Sequence, residues 1–167
     1  MDDLLEFYKK HKIQINLGKM STLEFWQECV ENFGLKKTEG FDLPKWWVAD
    51  YKVIETIHNL IYSLEDKVEI GIISNSSTGI WEAALNDGLV PRIKYKQVLL
   101  SCNLGIKKPD SQIFELAQNK AGVEPWEILF VDDQMKNLVI PKEMGWGTVL
   151  FDQTNAEIGV KQIVNQL

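Results

Sequence analysis

What this chain lacks narrows its chemistry before what it contains. Only two of its 167 residues are cysteines, Cys29 and Cys102, far apart and with no C-x-x-C or Cys/His cluster around them. That argues against a disulfide framework or a zinc site and leaves buried free thiols as the expectation. No apolar run approaches the roughly 20 residues a membrane-spanning helix needs. The opening, MDDLLEFYKK, is acidic where a secretory signal is basic and then apolar. A cytoplasmic protein without a membrane partner is expected. No stripe of Lys or Arg offsets the net charge of -6, and duplex binding needs such a face to displace phosphate counterions. Basic residues cluster mainly as pairs (Lys9-Lys10, Lys36-Lys37, Lys107-Lys108), so nucleic acid is not an expected partner. Neither G-x-G-x-x-G nor G-x-x-x-x-G-K-[ST] occurs, which weakens other nucleotide-binding α/β readings. No G-x-S-x-G elbow is present for a Ser-His-Asp hydrolase. The two histidines, His11 and His58, are far apart in sequence and are expected on helix surfaces or in packing.

What is present is enough apolar sequence for a real core, 45% of residues, and two textures along the chain. Up to about Leu64 the pattern is helical. Leu4, Leu5, Phe7 and Tyr8 open an amphipathic segment behind the acidic Asp2-Asp3, which favours a helix dipole. Ser21-Thr22-Leu23-Glu24 has capping-box spacing, followed by the apolar face Leu23, Phe25, Trp26, Val30 and Phe33. Pro44 suits a helix start, and a three-to-four-residue period runs from Trp46 through Ile54, Ile57, Leu60 and Ile61 to Leu64. From Val68 onward, short runs rich in Val, Ile, Leu and Phe (Val68 to Ser74, Gln97 to Ser101, Glu127 to Asp132, Gly147 to Phe151) alternate with helical stretches at Ile80 to Leu85, Ile113 to Ala121, Met135 to Met144 and Ala156 to Leu167, the last capped by Thr154 or Asn155. Such runs suit strands buried on both faces of a parallel sheet. Alternation of strand and helix predicts right-handed crossovers and an open α/β fold, with the boundary between textures at Leu64 to Lys67.

In a parallel sheet, functional groups collect beyond the carboxyl ends of the strands. The first strand ends in Ser74-Asn75-Ser76-Ser77, whose hydroxyls and free amides either favour an anion or merely cap a helix. The third ends in Asp132-Asp133. Adjacent carboxylates raise each other's pKa unless a cation sits between them, so they either bind a hard ion such as Mg²⁺ or one of them caps a helix. Between these lies Gly105-Ile106-Lys107-Lys108-Pro109-Asp110, where Pro109 can begin the next helix and hold Lys108 at its N-terminal end; the other reading is an ordinary surface lysine. Hydroxyl, lysine and acid pair in that order exclude response-regulator receivers, which place the acid pair first.

With these three elements the chain resembles the haloacid dehalogenase superfamily of hydrolases. GIISNSS resembles its second motif, GIKKPD its third and FVDDQMKN its fourth. The resemblance implies a Rossmann-like three-layer α/β core over residues 65–167, with residues 1–64 as the N-terminal helical cap of the subclass that inserts it after the first strand. It also implies that Ser74 and the Asn75 backbone amide hold phosphoryl oxygens, that Lys108 neutralises charge on phosphate and nucleophile, that Asp133 binds Mg²⁺ directly with Asp132 assisting, and that Asn137 orients the acids. A small phosphorylated metabolite is the implied substrate. Phe25, Trp46 and Tyr51 are candidates for setting which one.

One motif of the family is absent, the strand ending in Asp-x-Asp whose first aspartate attacks phosphorus and whose second serves as acid and base. Asp2-Asp3 does not have that spacing, and three residues span only about 10 Å. The resemblance places the missing strand centrally, between the strands ending at Ser74 and Asp132. Either these neighbours pair directly or the strand belongs to a longer natural protein. The expected function is a Mg²⁺-dependent phosphatase that works through an aspartyl phosphate when complete, with these 167 residues inactive alone. The alternative is a non-catalytic relative that binds a phosphorylated ligand, or a protein through Trp26, Trp46 and Trp47.

Overall fold

A computed structural model describes residues 2–36 and 40–167; Lys37 of the second basic pair lies outside them. Three helices open the chain: α1 (Asp2–Asn16), α2 (Thr22–Phe33) and α3 (Leu43–Val48). They pack around Ile15, Phe25, Cys29 and Leu43, with Phe7, Tyr8, Trp26, Phe41 and Trp47 laid against that centre. The capping box at Ser21 forms as read. Its hydroxyl accepts from the Glu24 N–H at 3.1 Å, and its own N–H donates to Glu24 Oε2 at 2.7 Å. At the other end Gly34 closes α2 at φ +58°, a left-handed conformation glycine enters without steric cost. Pro44 falls in the first turn of α3, where Asp42 accepts from the Lys45 N–H at 3.0 Å.

The helical period read from Trp46 to Leu64 is interrupted. Residues 49–54 leave the helix, and α4 (Glu55–Leu64) starts afresh. Val53 and Ile54, β-branched and stiff at χ1, occupy the break. No strand occurs among the described residues of this first part of the chain.

Four short strands lie within the four apolar runs: β1 (Gly71–Ser74), β2 (Gln97–Leu100), β3 (Leu129–Asp132) and β4 (Gly147–Leu150). The helices between and after them are α5 (Ile80–Asn86), α6 (Ser101–Leu104), α7 (Ser111–Ala121), α8 (Met135–Glu143) and α9 (Ala156–Val164). Asn155 holds the cap position of α9, while the side chain of Asp152 caps the short turn just before it. β1 pairs in parallel with β2, Ser74 opposite Leu100. β3 pairs in parallel with β4, Asp132 opposite Leu150. Among the described residues no ladder joins β1 to β3, so the direct pairing of these two strands, one of the two expectations, does not occur.

A single core nevertheless lies under both sheets. Leu99 of β2, Phe130 of β3, Ile113, Phe114 and Ala117 of α7, Leu138 of α8 and Trp146 form one buried cluster, with Ile73 of β1 packed on it. The rings of Phe114, Phe130 and Trp146 meet edge to face at 5.5 to 6.1 Å between centroids, the geometry aromatic quadrupoles favour. On the opposite face of the second sheet, Val149, Phe151 and Ile163 pack with Leu129 and Val131, and with Ile54, Ile57 and Leu60 from the α4 segment. Helices on both faces of parallel strands make three layers, the α/β arrangement expected. α4 packs against α9 and the second sheet.

One glycine ties the first helices to the rest. Gly18, at φ +68°, lies so close to Cys102 in α6 that a Cβ there would collide with the Cys102 carbonyl oxygen. The two cysteines are free, Cys29 buried and Cys102 partly exposed. No helix of the described residues is long and apolar enough to cross a membrane.

Candidate active site at the strand ends

The turn after β1, the loop before α7 and the end of β3 converge on one lysine. Asn75, directly after β1, donates from Nδ2 to the Lys108 carbonyl at 2.8 Å and accepts at Oδ1 from the Lys108 N–H at 2.8 Å. The lysine's main chain is thereby fixed to the end of the first strand. Its side chain crosses to the third, where Nζ lies 2.6 Å from Asp132 Oδ2. The Lys108 side chain is 12% exposed and that of Asp132 4%, so this is a largely dehydrated ion pair. Phe130 lies beneath it, its ring centroid 5.5 Å from Nζ, close enough for a cation–π contribution.

The other oxygen of Asp132 accepts from the Gln134 N–H at 2.8 Å and from Asn137 Nδ2 at 2.9 Å. Burial by itself would raise the Asp132 pKa. The hydrogen bonds from Lys108, Asn137 and the Gln134 amide outweigh it and hold the carboxyl below its usual range. Asn137 is itself buried, so its orientation of Asp132 is locked by packing in α8. Among the described residues its Oδ1 has no hydrogen-bond partner.

Asp133 has different surroundings. It is exposed and accepts from Gln153 Nε2 at 2.9 Å. Neighbouring residues at a strand end face opposite ways, so the two acids diverge, one into the pair with Lys108 and one toward solvent. Among the described residues no three His, Cys, Asp or Glu side chains cluster as metal ligands. Asp132 and Asp133 are nonetheless hard-oxygen donors of the kind Mg²⁺ accepts, with water completing its shell.

Pro109 has a different place from the one its sequence suggested. Helix α7 begins at Ser111 with Asp110 in the cap position, so Pro109 precedes the helix and Asn75 positions Lys108. Ser74, last residue of β1, is partly buried. The turn behind it is anchored by Ser101, a residue that sequence reading had placed only as the end of a strand. Ser101 is fully buried; its Oγ accepts from the Ser76 N–H at 3.0 Å and donates to the Ser76 carbonyl at 3.2 Å. A serine closing an apolar strand was the available signal. The same turn touches the first helices, with Ser77 Oγ donating to Asn16 Oδ1 at 3.3 Å and Thr22 Oγ1 donating to the Thr78 carbonyl at 3.0 Å.

A lysine bridging the turn after one strand and an acid at the end of another is the order of groups read in the sequence, and a family model for haloacid dehalogenase-like hydrolases matches residues 8–145. The chain belongs to the haloacid dehalogenase-like hydrolase family. Within that family it is 27% identical over 109 residues to flavin mononucleotide hydrolase 1 of Arabidopsis thaliana, a match covering 65% of this chain and 44% of the plant protein. It is 26% identical over 141 residues to D-ribitol-5-phosphate phosphatase of Bacteroides thetaiotaomicron, covering 81% of this chain and 68% of that enzyme. The chain thus spans less than half of the plant relative. Among solved structures, a HAD family enzyme of Bacteroides thetaiotaomicron in complex with magnesium and inorganic phosphate superposes with a TM-score of 0.72 at 23% identity, over 83% of this chain and 73% of that one. That likeness establishes a shared haloacid dehalogenase-like fold.

Other candidates fall outside the site. His11 has local contacts, Nδ1 donating to the Phe7 carbonyl at 2.9 Å and Nε2 lying 3.2 Å from Glu28 Oε2, and His58 Nε2 donates to the Leu89 carbonyl at 3.1 Å. Phe25 is in the centre of the helical cluster, whereas Trp46 and Tyr51 are exposed. Trp26 and Trp47 pack on the cluster, leaving Trp46 as the exposed member of the tryptophan trio.

Proposed function

We propose that this fold is a phosphatase of small phosphate monoesters whose first motif, an Asp-x-Asp strand, is not among these 167 residues, and that the chain alone turns over little or no substrate. The Asn75–Lys108–Asp132 bridge carries this reading. It fixes a cation between the turn after β1 and the end of β3, which supports a phosphoryl group held there by Ser74 and the Asn75 backbone amide. The relatives named as a flavin mononucleotide hydrolase and a ribitol-5-phosphate phosphatase support a small phosphorylated metabolite as substrate. The solved relative containing magnesium and phosphate supports Mg²⁺. Asp133, with Asp132 beside it, would hold that ion, which when bound neutralises phosphoryl charge; Asn137 keeps Asp132 oriented. α1 to α3 would form a helical cap of the type inserted after the first strand. An aspartate supplied at the missing motif would attack phosphorus, and Lys108 would offset the charge that gathers there.

The test is a phosphomonoesterase assay with and without Mg²⁺, beside calorimetric titration with inorganic phosphate. Turnover at the buffer blank and phosphate binding that Lys108→Ala abolishes are the expected results. A Mg²⁺-dependent rate removed by Asp133→Asn, yet untouched by changing Asp2 or Asp3, would overturn the inactivity and require another nucleophile. Phosphate binding unaffected by Lys108→Ala would overturn the anion site.

A further inference from the structure

The carboxyl end of β4 lies beside the two acids. Phe151, one residue past β4, donates its N–H to the Asp132 carbonyl at 2.9 Å, which carries the β3–β4 pairing up to the acid pair. The turn that follows is held at three points. The buried Phe151 ring lies so close to Gly159 in α9 that a Cβ there would come within 2.5 Å of it. Asp152 Oδ1 accepts from the Thr154 N–H at 2.8 Å and from the Thr154 hydroxyl at 2.6 Å. The Asp152 carbonyl accepts from the Asn155 N–H at 3.1 Å. Gln153 is the residue this turn presents, and its Nε2 donates to Asp133 Oδ2 at 2.9 Å. We propose that Gln153 is a positioning residue for a divalent cation at Asp133, fixing the carboxylate from the end of β4 through a neutral donor.

The two acids are restrained in chemically different ways. Asp132 faces the Lys108 ammonium at 2.6 Å, so its charge is compensated. Asp133 faces an amide, which has donors but no charge. Such a donor orients a carboxylate and leaves its negative charge available, whereas Lys or Arg in the same place would compete with a metal ion for it. Gln153 takes one oxygen, Oδ2, and among the described residues Oδ1 accepts no hydrogen bond. Hydrogen bonds of this kind orient carboxylates that carry metals. Mg²⁺ binds through one or two carboxylates and keeps several waters in a strict octahedron, so a carboxylate held in place suits it better than a free one.

A purely structural use explains less. Gln153 and Asp133 are both exposed, where water replaces most of what a hydrogen bond adds to stability, and ordering a glutamine side chain opposes it. The turn before α9 does not need the pair either, since Asp152 caps it. What the bond does accomplish is to hold one rotamer of Asp133. This role rests on the Mg²⁺ reading of Asp133 above.

The experiment titrates Mg²⁺ into the intact ¹⁵N-labelled chain at neutral pH and follows two resonances, the Asp133 backbone amide and the Gln153 side-chain amide. It is repeated with Gln153→Met, close in size but without a donor, and with Asp133→Asn. In the wild type both resonances should move saturably with one midpoint. Gln153→Met should raise the midpoint at Asp133 about tenfold, the lower end for losing such a partner, with its urea midpoint unchanged. Asp133→Asn should abolish the response of the Gln153 side chain. Equal midpoints in wild type and Gln153→Met, or a Gln153 side chain that stays still while Asp133 responds, would overturn the positioning role and leave the metal reading standing. Tighter binding in Gln153→Met would overturn it as well, because the amide would then be a competitor. So would a lower urea midpoint accompanying the weaker binding, which would assign the loss to the turn, or a Gln153 response that persists in Asp133→Asn. No saturable response at Asp133 in the wild type would overturn the metal reading itself, and the positioning role with it.

Discussion

Asn75 and Lys108 hold one another twice, amide to carbonyl and amide N–H to side-chain oxygen, each at 2.8 Å. An asparagine side chain here plays the part of a strand neighbour, mimicking a backbone rung between the turn after β1 and the loop before α7. Asn75→Ala removes both bonds. Asn75 is exposed, so water replaces part of what is lost and the cost is about 1 kcal/mol. The larger consequence is functional: Lys108 loses its fixed main chain, and phosphate affinity should fall several-fold. Urea unfolding and calorimetry on the same variant check the two effects together. Unchanged phosphate affinity would show that Asp132 alone positions the lysine.

The Lys108–Asp132 pair predicts a pH dependence. The folded Asp132 carboxyl titrates below its usual range, whereas in the unfolded chain it titrates near ~3.9. Its contribution to stability is therefore fully present above the unfolded value and lost as pH falls through the lower, folded one. Wild-type urea midpoints should drop as pH is lowered below about 4, and Asp132→Ala should show a shallower drop over the same window. At neutral pH that variant leaves Lys108 charged and nearly buried. The cost should be about 3 kcal/mol, the lower end for a broken buried pair because the lysine keeps some exposure. Parallel pH profiles for the two proteins would sink this assignment.

Two glycines separate backbone strain from steric contact. Gly18 and Gly34 both have positive φ, +68° and +58°, but only Gly18 has the Cys102 main chain against it; a Cβ added at Gly34 would meet none of the described residues within 4 Å apart from its chain neighbours. Gly34→Ala should cost about 1–2 kcal/mol for the left-handed conformation. Gly18→Ala should cost a further ~1–3 kcal/mol because α1 and α6 must move apart. Chemical denaturation of the two variants side by side tests the difference, and equal losses would mean that the α1–α6 contact yields freely.

The strands and the three motifs were legible because they are local. Val, Ile and Phe runs bounded by polar turns announce buried strands, and the capping box at Ser21 needs only four consecutive residues. The break at residues 49–54 was hidden because Trp46, Ile54 and Ile57 keep a helical spacing across it; periodicity records which side is apolar, not whether the backbone continues. The packing of Ile57 and Leu60 against Ile163 was equally hidden, since it joins segments about a hundred residues apart. The opposite settings of Asp132 and Asp133 follow from strand alternation, a local signal, whereas their adjacency in sequence suggests one shared role. Asn75 as the anchor of Lys108 left no sequence mark beyond a polar turn.

Asp133 supplies the test of the metal. Its carboxylate is exposed and engages only Gln153 among the described residues, so Asp133→Asn should leave stability within about 0.5 kcal/mol of wild type. If the proposed Mg²⁺ site is real, the ion should raise phosphate affinity in the wild-type chain, since a cation shared with the phosphoryl oxygens strengthens both interactions. Asp133→Asn should then abolish the Mg²⁺ effect while retaining the Mg²⁺-free affinity set by Lys108. Titrating phosphate into both proteins, with and without millimolar Mg²⁺, gives four constants that decide the matter. A magnesium enhancement that persists in Asp133→Asn would move the ion to Asp132, and the Lys108 pair would have to open to admit it.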